Sequence, residues 1–159
     1  MRRPLPITCR SIASFVCHRG KRGTKFLLLK RQESRGGFWQ PVSGGIEQGE
    51  SAAKAAIREV REETGLKIRE MYSVDQLEMF YNIRKDSIRL APVFVAFVAE
   101  PEPVKLCREH SEYQWVNVRS ALRLLPFEEQ RRLLEYVNDQ FVRREPEPLL
   151  RIRLGGRND

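Results

Sequence analysis

Three carboxylates, Glu59, Glu62 and Glu63, recur at spacings of three and four within a run of residues that favour a helix. At about 100° per residue, these spacings bring the three side chains to one helix face. Carboxylates this close repel one another unless a cation neutralises them. Oxygen ligands that leave room for retained waters suit Mg²⁺ or Mn²⁺ better than zinc or copper. The pattern therefore allows a site for a hard divalent ion.

A second interpretation needs no ligand, because an acidic run on a helix is often a solvated face. In that case Glu62 pairs with Arg58, and Glu59 or Glu63 pairs with Lys67. Pairs of this kind at i, i+4, such as Arg58–Glu62 and Glu63–Lys67, stabilise a helix modestly and carry no chemistry. The spacing of the carboxylates alone leaves both interpretations open.

The helix that carries these residues has clear ends. Ser51 is a good N-cap, residues 52–63 are mostly strong helix formers, and Gly65 stands where a C′ glycine belongs. An apolar stripe is predicted to pack on a sheet, and its members are Ala53, Ala56, Ile57, Val60 and Thr64. The small Ala52 and Ala55 are expected to leave the acidic face sterically open.

The remaining elements are mostly strands. Residues 11–18 and 25–30 are predicted to form a hairpin, residues 71–81 and 88–98 a second strand pair, and residues 113–118 another strand. Residues 127–142 have the spacing of a second helix. The expected fold is α/β (α+β), with one domain over residues 1–142. The tail, residues 143–159, is expected either to be disordered or to add a strand, to the sheet or to a partner subunit in a homodimer.

Composition limits the classes of protein. The chain has 159 residues with a net charge of +8, which suggests an anionic partner such as a nucleotide, a phosphorylated metabolite or nucleic acid. Three cysteines without a CxxC pair disfavour a disulfide framework or a zinc ribbon. No apolar run has the length of a membrane helix or a signal sequence, so a cytoplasmic protein without a membrane partner is expected. With two histidines, acid–base and metal chemistry is expected from carboxylates.

Residues 44–66, GGIEQGESAAKAAIREVREETGL, contain a longer spacing pattern. Its constrained positions are Gly44, Glu50, Arg58-Glu59-Val60, Glu62-Glu63 and Gly65-Leu66. The segment resembles the Nudix box at every fixed position. The resemblance implies an α/β/α sandwich around a mixed β-sheet, and an enzyme that hydrolyses a nucleoside diphosphate linked to another group.

The resemblance also implies roles for individual residues. Glu59 and Glu63 look like Mg²⁺ ligands, for which Mn²⁺ is an expected substitute, and Glu62 looks like a further ligand or the general base. Arg58 resembles the arginine that orients the catalytic glutamates, through a pair with Glu50. The backbone carbonyl of Gly44, or that of its neighbour Gly45, is expected to face a metal.

A second motif lies further along the chain. Glu109-His110-Ser111-Glu112-Tyr113-Gln114-Trp115 resembles the subgroup that acts on dATP or dihydroneopterin triphosphate. There, Glu109 would be an extra metal ligand, with Glu112 as its rival. The same resemblance places Arg31 and Ser43 near the substrate. Trp39 is expected in the core, and Pro41-Val42 departs from the family pattern and leaves the base preference open.

The function expected from these resemblances is Mg²⁺-dependent hydrolysis of a diphosphate linkage in a nucleoside or pterin triphosphate, which gives a monophosphate and pyrophosphate. The alternatives are removal of pyrophosphate from the 5′ end of RNA and hydrolysis of dinucleoside polyphosphates. A non-catalytic nucleotide-binding regulator is a further alternative, which the intact box disfavours.

Overall fold

The computed structural model describes residues 3–155, and its strands form a single mixed sheet. Over that range there are eight strands: β1 (Ile7–Thr8), β2 (Ser11–Gly20), β3 (Gly23–Arg31), β4 (Trp39–Gln40), β5 (Val42–Gly45), β6 (Ile68–Asn82), β7 (Ser87–Val98) and β8 (His110–Val116). The α-helices are α1 (Ala52–Thr64), α2 (Val118–Leu124) and α3 (Glu128–Val137). Short 3₁₀ turns cover Glu33–Arg35 and Pro148–Leu150.

Strand β2 lies at the centre of the sheet. It pairs in parallel with β7, and on its other side it pairs antiparallel with β3 and, near its start, with β5. Strand β3 also pairs with β4 and β8, and β7 also pairs with β1 and β6. The two predicted strand pairs, β2–β3 and β6–β7, are confirmed.

Alternation along the strands divides the core into two layers. On β2, Phe15 and Cys17 face a cluster that includes α2 and α3, whereas Ile12 and Val16 face a cluster that includes α1. Successive side chains of a strand point to opposite faces, so one central strand supports both layers. The α/β/α sandwich is confirmed.

Helix α1 has the predicted ends but a rotated buried face. The Ser51 Oγ accepts a hydrogen bond from the Lys54 N–H at 3.2 Å, and Gly65 ends the helix with φ of 70°. The buried residues are Ala55, Ala56, Val60, Glu63 and Thr64, whereas Ala53 and Ile57 are half-buried. Ala55 thus packs in the core and does not open the acidic face as expected. Gly44 has no side chain, so the helix approaches β5 on the Glu59 side and turns Glu63 inward.

The predicted number of helices was too low. Residues 3–155 contain three α-helices, not two, because α2 begins directly after β8 and the strand ends at Val116. The Asn117 side chain accepts a hydrogen bond from the Ser120 N–H at 2.9 Å and caps α2. A helix of seven residues is too short for its periodicity to be recognised. The helix predicted over 127–142 is α-helical over Glu128–Val137 and continues as a π-helical turn to Arg143.

The segment after α3 lies along the outer edge of the sheet. Arg151 forms one isolated bridge with Tyr72 of β6, and the Ile152 N–H donates to the Met71 carbonyl at 2.8 Å. This contact corresponds to the strand-like alternative for the tail, limited to a single bridge. Residues 1–2 and 156–159, at the ends of the predicted domain and tail, lie outside the described residues. No α-helix within 3–155 has the length and apolarity to cross a membrane.

Replacement of Asn117 by alanine removes the cap of α2, and we expect it to lower the free energy of unfolding by about 1 kcal/mol. Urea unfolding followed by circular dichroism measures the change. Asn117→Ser keeps a capping oxygen, so its free energy of unfolding should be close to that of the parent protein. Equal losses in the two variants would show that Asn117 acts through another contact.

Candidate active site

Arg58 connects the loop before α1 to the acidic face of that helix. Its Nε and Nη2 donate to the two carboxylate oxygens of Glu50, both at 2.9 Å. Its Nη2 also donates to the Gly45 carbonyl at 2.8 Å, and its Nη1 donates to Glu59 Oε1 at 2.8 Å and to Glu62 Oε2 at 3.2 Å. A planar guanidinium satisfies these acceptors at once because its donors form a rigid fork. The pair between Arg58 and Glu50 expected from the sequence is present.

The hydrogen bonds from Arg58 lower the pKa of Glu50 to about 2, with help from the backbone N–H of Glu47. The same bonds raise the pKa of Arg58. Both groups therefore stay charged over the range in which proteins normally work. Arg58 and Glu50 form a permanent ion pair beneath the acidic face.

Glu63 is an acid held in the protein interior. Its exposed fraction is 5%, and its Oε2 has no hydrogen-bond partner within residues 3–155. Burial, with the charges of Glu59 and Glu109, raises the pKa of Glu63 to about 8, although the backbone N–H of Ser43 opposes this shift. Burial also raises the pKa of Glu59. These carboxylates thus crowd one another in a place where water stabilises them poorly.

A close approach between strand and helix sets the position of Glu59. A Cβ atom at Gly44 would collide with the Glu59 carboxyl group, whereas one at Gly45 would meet only the Arg10 carbonyl oxygen at 3.9 Å. Gly44 is therefore required where α1 packs on β5. This contact also places the Gly44 backbone beside the acidic face.

Glu109 and Glu112 lie in different surroundings. Glu109 forms an ion pair with Arg35 at 3.4 Å, and its charge raises the pKa values of both Glu59 and Glu63. Glu112 instead accepts a hydrogen bond from Lys30 Nζ in an ion pair at 3.0 Å. Glu109 therefore belongs to the same electrostatic cluster as the helix carboxylates.

The solvated-face interpretation holds for only one of the three helix carboxylates. The side chain of Glu62 is 57% exposed and pairs with Arg58, as that interpretation predicted. Glu59 is 13% exposed and Glu63 is buried, and among residues 3–155 no ion pair joins either of them to Lys67. The solvated-face interpretation therefore does not explain the positions of Glu59 and Glu63.

A divalent cation fits this donor set. The cluster offers oxygen atoms only, it contains a buried carboxylate oxygen without a donor, and its members repel one another. In the described part of the chain, no three His, Cys, Asp or Glu side chains are already arranged around one point. Arg58 holds one oxygen of Glu59, and Arg35 holds one of Glu109.

Ser43 lies on the opposite face of the sheet from Gly44, and Arg31 is near enough to the acidic cluster for its charge to oppose the raised pKa of Glu63. Ser43 pairs with Ala13 of β2, whose side chain faces α2 and α3, whereas Gly44 pairs with Ile12, whose side chain faces α1. Both predicted substrate residues line a cavity of about 540 Å³. Arg31 has a buried Nε without a partner in the described residues. Strand β5 therefore separates the acidic cluster from a cavity of ligand size.

Several cavity residues escaped the sequence analysis. They come from β6, β7, α3 and the loops before β4 and α3, and they include Arg35, Phe38, Glu78, Arg89, Phe127 and Gln130. A charged residue within an apolar strand pattern, such as Glu78, was the one available signal. Their convergence depends on long-range strand pairing, which spacing along the chain does not show.

The remaining candidates have structural surroundings. His110 is buried between Gln40 and Cys107, and burial, followed by the charge of Arg31, lowers its pKa. Burial also raises the pKa of the Cys107 thiol. Trp39 packs against the core cluster, as expected. Neither the histidine nor the thiol is activated for nucleophilic chemistry.

We expect Glu50→Gln to destabilise the protein at pH 7, because the substitution breaks the ion pair with Arg58. The folded-state pKa of about 2 lies below the ordinary value of 4.5 for a glutamate, so this stabilisation is present above pH 4.5 and is lost as pH falls towards 2. Thermal unfolding of parent and variant between pH 7 and pH 2.5 measures the difference, which should narrow as pH falls. Glu47→Gln is the control, since Glu47 lies 3.9 Å from Arg58 and is largely exposed. A difference that stays constant with pH would contradict the role of this ion pair.

Comparisons with known proteins identify the family of the chain. The family model of the NUDIX domain matches residues 9–137. The chain is 32% identical over 120 residues to an asymmetrical bis(5′-nucleosyl)-tetraphosphatase of Sus scrofa, a match that covers 70% of this chain and 76% of that protein. It is 29% identical over 133 residues to a dihydroneopterin triphosphate diphosphatase of Escherichia coli, covering 75% of this chain and 84% of that protein.

Two further comparisons concern extent and fold. An octanoyltransferase of Myxococcus xanthus is 39% identical over 127 residues, covering 79% of this chain, but the chain spans only 35% of that relative's length. The crystal structure of a MutT protein from Methanosarcina mazei has a TM-score of 0.70 with 28% identity, and the match covers 87% of this chain and 97% of that one. The chain therefore belongs to the Nudix family and is a hydrolase that acts on phosphoric anhydride bonds.

Proposed function

We propose that the protein hydrolyses a diphosphate linkage in a nucleoside or pterin triphosphate, with Mg²⁺ as cofactor, and releases a monophosphate and pyrophosphate. The observation that carries this proposal is the buried Glu63 carboxylate, whose Oε2 lacks a donor within the described residues and whose pKa is raised by burial and by the charges of Glu59 and Glu109. A polyphosphate and an acidic cluster repel each other without a cation between them. The similarity to dihydroneopterin triphosphate diphosphatase supports the substrate class.

The proposed metal ligands are Glu59, Glu63, Glu109 and the carbonyl of Gly44. Glu62 is either a further ligand or the general base. When bound, Mg²⁺ or Mn²⁺ neutralises charge on the phosphoryl oxygens and lowers the pKa of a bound water. The buried position of Glu63 and the Gly44 contact would keep the inner ligands in place before substrate arrives.

Arg58 and Glu62 would act at the outer side of the cluster. Glu62 is exposed, and one of its oxygens accepts a hydrogen bond from Arg58. Its other oxygen is the proposed acceptor for the proton of the attacking water. Arg58 is fixed by its hydrogen bonds to Glu50 and the Gly45 carbonyl, and it would therefore hold the Glu59 and Glu62 carboxylates in a constant orientation.

Arg31 and Ser43 would receive the substrate where the cavity meets β5. Arg31 brings a guanidinium with a buried Nε to the cavity wall, and Arg35 lies on the same wall. Guanidinium groups bind phosphate oxygens through paired hydrogen bonds. The substrate phosphates would thus run from the cavity over the edge of β5 to the acidic cluster.

RNA with a 5′ pyrophosphate is a second candidate substrate, and the positive charge of the protein favours it. The chain carries a net charge of +8, and a groove of about 500 Å³ beside β6 is lined by Arg69, Arg151 and Arg153. The similarity to a tetraphosphatase likewise makes dinucleoside polyphosphates a candidate class. A regulator that binds nucleotides without turnover fits least well, because every fixed position of the box is present.

A cytoplasmic location, with substrates in solution and no membrane partner, is part of the same proposal. It rests on composition and on the soluble nature of these substrates. The homodimer remains a prediction from the tail segment.

A substrate panel tests the function. Purified protein is incubated with Mg²⁺ and, in separate reactions, with nucleoside and pterin triphosphates, dinucleoside polyphosphates and triphosphorylated RNA, and the products are identified by chromatography. We expect a triphosphate to give a monophosphate and pyrophosphate. Glu63→Gln keeps the shape of the side chain, so its turnover should fall by at least about 100-fold without loss of thermal stability.

The outcomes of the panel separate the candidates. Turnover that is fastest on RNA and falls steeply with salt would replace the proposal by the RNA function. No turnover of any substrate would leave the nucleotide-binding regulator. Near-parental turnover by Glu63→Gln would show that the metal site is placed wrongly.

Gly44→Ala tests the contact between strand and helix. The new methyl group would displace the Glu59 carboxyl group, and a shift of about 1 Å at a catalytic group costs about 100-fold in rate. We therefore expect kcat to fall by about that factor and the Mn²⁺ affinity, measured by titration calorimetry, to weaken. Gly45→Ala is the matched control in the same strand and should behave like the parent. Equal effects of the two substitutions would indicate general damage to β5.

A further inference from the structure

The floor of the 540 Å³ cavity contains two polar side chains that the catalytic cluster does not use. Glu78 of β6 and Gln130 of α3 are exposed by only 9% and 8%. Gln130 Nε2 donates to Glu78 Oε1 at 3.0 Å. Gln130 Oε1 is buried and has no partner within residues 3–155.

An acceptor buried without a donor is costly, by about 1–3 kcal/mol. Arg89 also lines the cavity and donates its Nε to the Ser11 hydroxyl at 3.0 Å, and within the described residues it makes no hydrogen bond to Gln130 Oε1. The pair therefore has a use other than packing. Two acceptor groups, the Glu78 carboxylate and the Gln130 carbonyl, lie side by side where a ligand could supply the missing donors.

The walls of the cavity are suited to a flat ring. Phe38 and Phe127 meet edge to face with ring centres 5.2 Å apart, and Phe80 of β6 also lines the cavity. Phe127 is 49% exposed, so its ring is accessible to a ligand in the cavity. Aromatic side chains stack on heterocyclic bases with little preference for which base it is, because every base has a π-face.

We propose that this cavity binds the heterocycle of the substrate through an edge with two adjacent N–H donors, which Glu78 and Gln130 accept. This inference rests on the proposed function, because it assumes that the phosphates lie at β5. Guanine and pterin share such an edge, a ring N–H beside an exocyclic amine. Adenine instead presents its amine beside a ring nitrogen that accepts, and that nitrogen would face a carboxylate oxygen. The substrate is therefore a guanosine or pterin triphosphate.

The test compares kcat/KM for GTP, dihydroneopterin triphosphate, ITP and ATP. ITP keeps the ring N–H of GTP and lacks only the exocyclic amine. We expect GTP or the pterin to exceed both ITP and ATP by at least about tenfold. Whichever of GTP and dihydroneopterin triphosphate has the higher kcat/KM shows whether the cavity binds guanine or pterin. Equal rates on ATP and on both of them would overturn the inference.

Glu78→Gln tests the residue itself. The new amide accepts from Gln130 as before but aims an N–H into the cavity, so the preference over ATP should fall by about tenfold. Glu129→Gln is the matched control, because Glu129 lines the same cavity while its carboxylate is held by Arg132 and the Met79 N–H. Its base preference should equal that of the parent. If Glu78→Gln does not fold, Gln130→Met removes the second acceptor at similar volume and should reduce the same preference.

Binding without turnover separates this inference from the proposed function. Titration calorimetry uses GTP and ATP analogues with a methylene group between the α and β phosphates, which cannot be hydrolysed there. Selective binding of the guanosine analogue that Glu78→Gln abolishes would support the cavity assignment even if the panel shows no turnover. Turnover of triphosphates with no difference between the analogues would retain the proposed function and overturn the assignment.

Discussion

The active site depends on one multivalent contact, the guanidinium of Arg58. It binds both oxygens of Glu50, one oxygen of Glu59 and the Gly45 carbonyl, all within 2.8–2.9 Å. The loop before α1, strand β5 and the acidic helix face are thereby connected through one side chain. A lysine could not hold this arrangement, since an ammonium offers no planar fork of donors.

Around that contact the protein accepts unfavourable electrostatics. Glu63 is buried beside Glu59 and within reach of the charge of Glu109, and its pKa rises to about 8. In a Nudix hydrolase this arrangement would have a use, because a buried carboxylate with an unpartnered oxygen, as in Glu63, is suited to bind a hard cation. The free energy lost by burying Glu63 is offset by apolar packing in the two layers on either side of the sheet.

Strand β5 lies between the proposed metal site and the cavity proposed for the substrate. Its alternation sends Gly44 towards α1 and Ser43 towards the cavity on the α3 side. The absence of a side chain at Gly44 lets the acidic helix approach, while Ser43 is left to meet a ligand. Because successive residues of a strand point to opposite faces, the neighbouring residues Ser43 and Gly44 face the proposed substrate cavity and the acidic helix, respectively.

The sequence by itself determined the family, the sandwich fold, the ends of α1 and the acidic cluster, because these are local patterns of spacing and capping. Helix α2 was missed because seven residues carry too little periodicity, and the buried face of α1 was misplaced because it depends on the approach to Gly44. Only the tertiary structure showed that Glu63 is buried, that Glu109 rather than Glu112 lies near the cluster, and that Glu78 meets Gln130. These properties arise from contacts between residues 52 positions apart in the Glu78–Gln130 pair and 82 apart in the Lys30–Glu112 pair, and the pairing of strands and helices creates them.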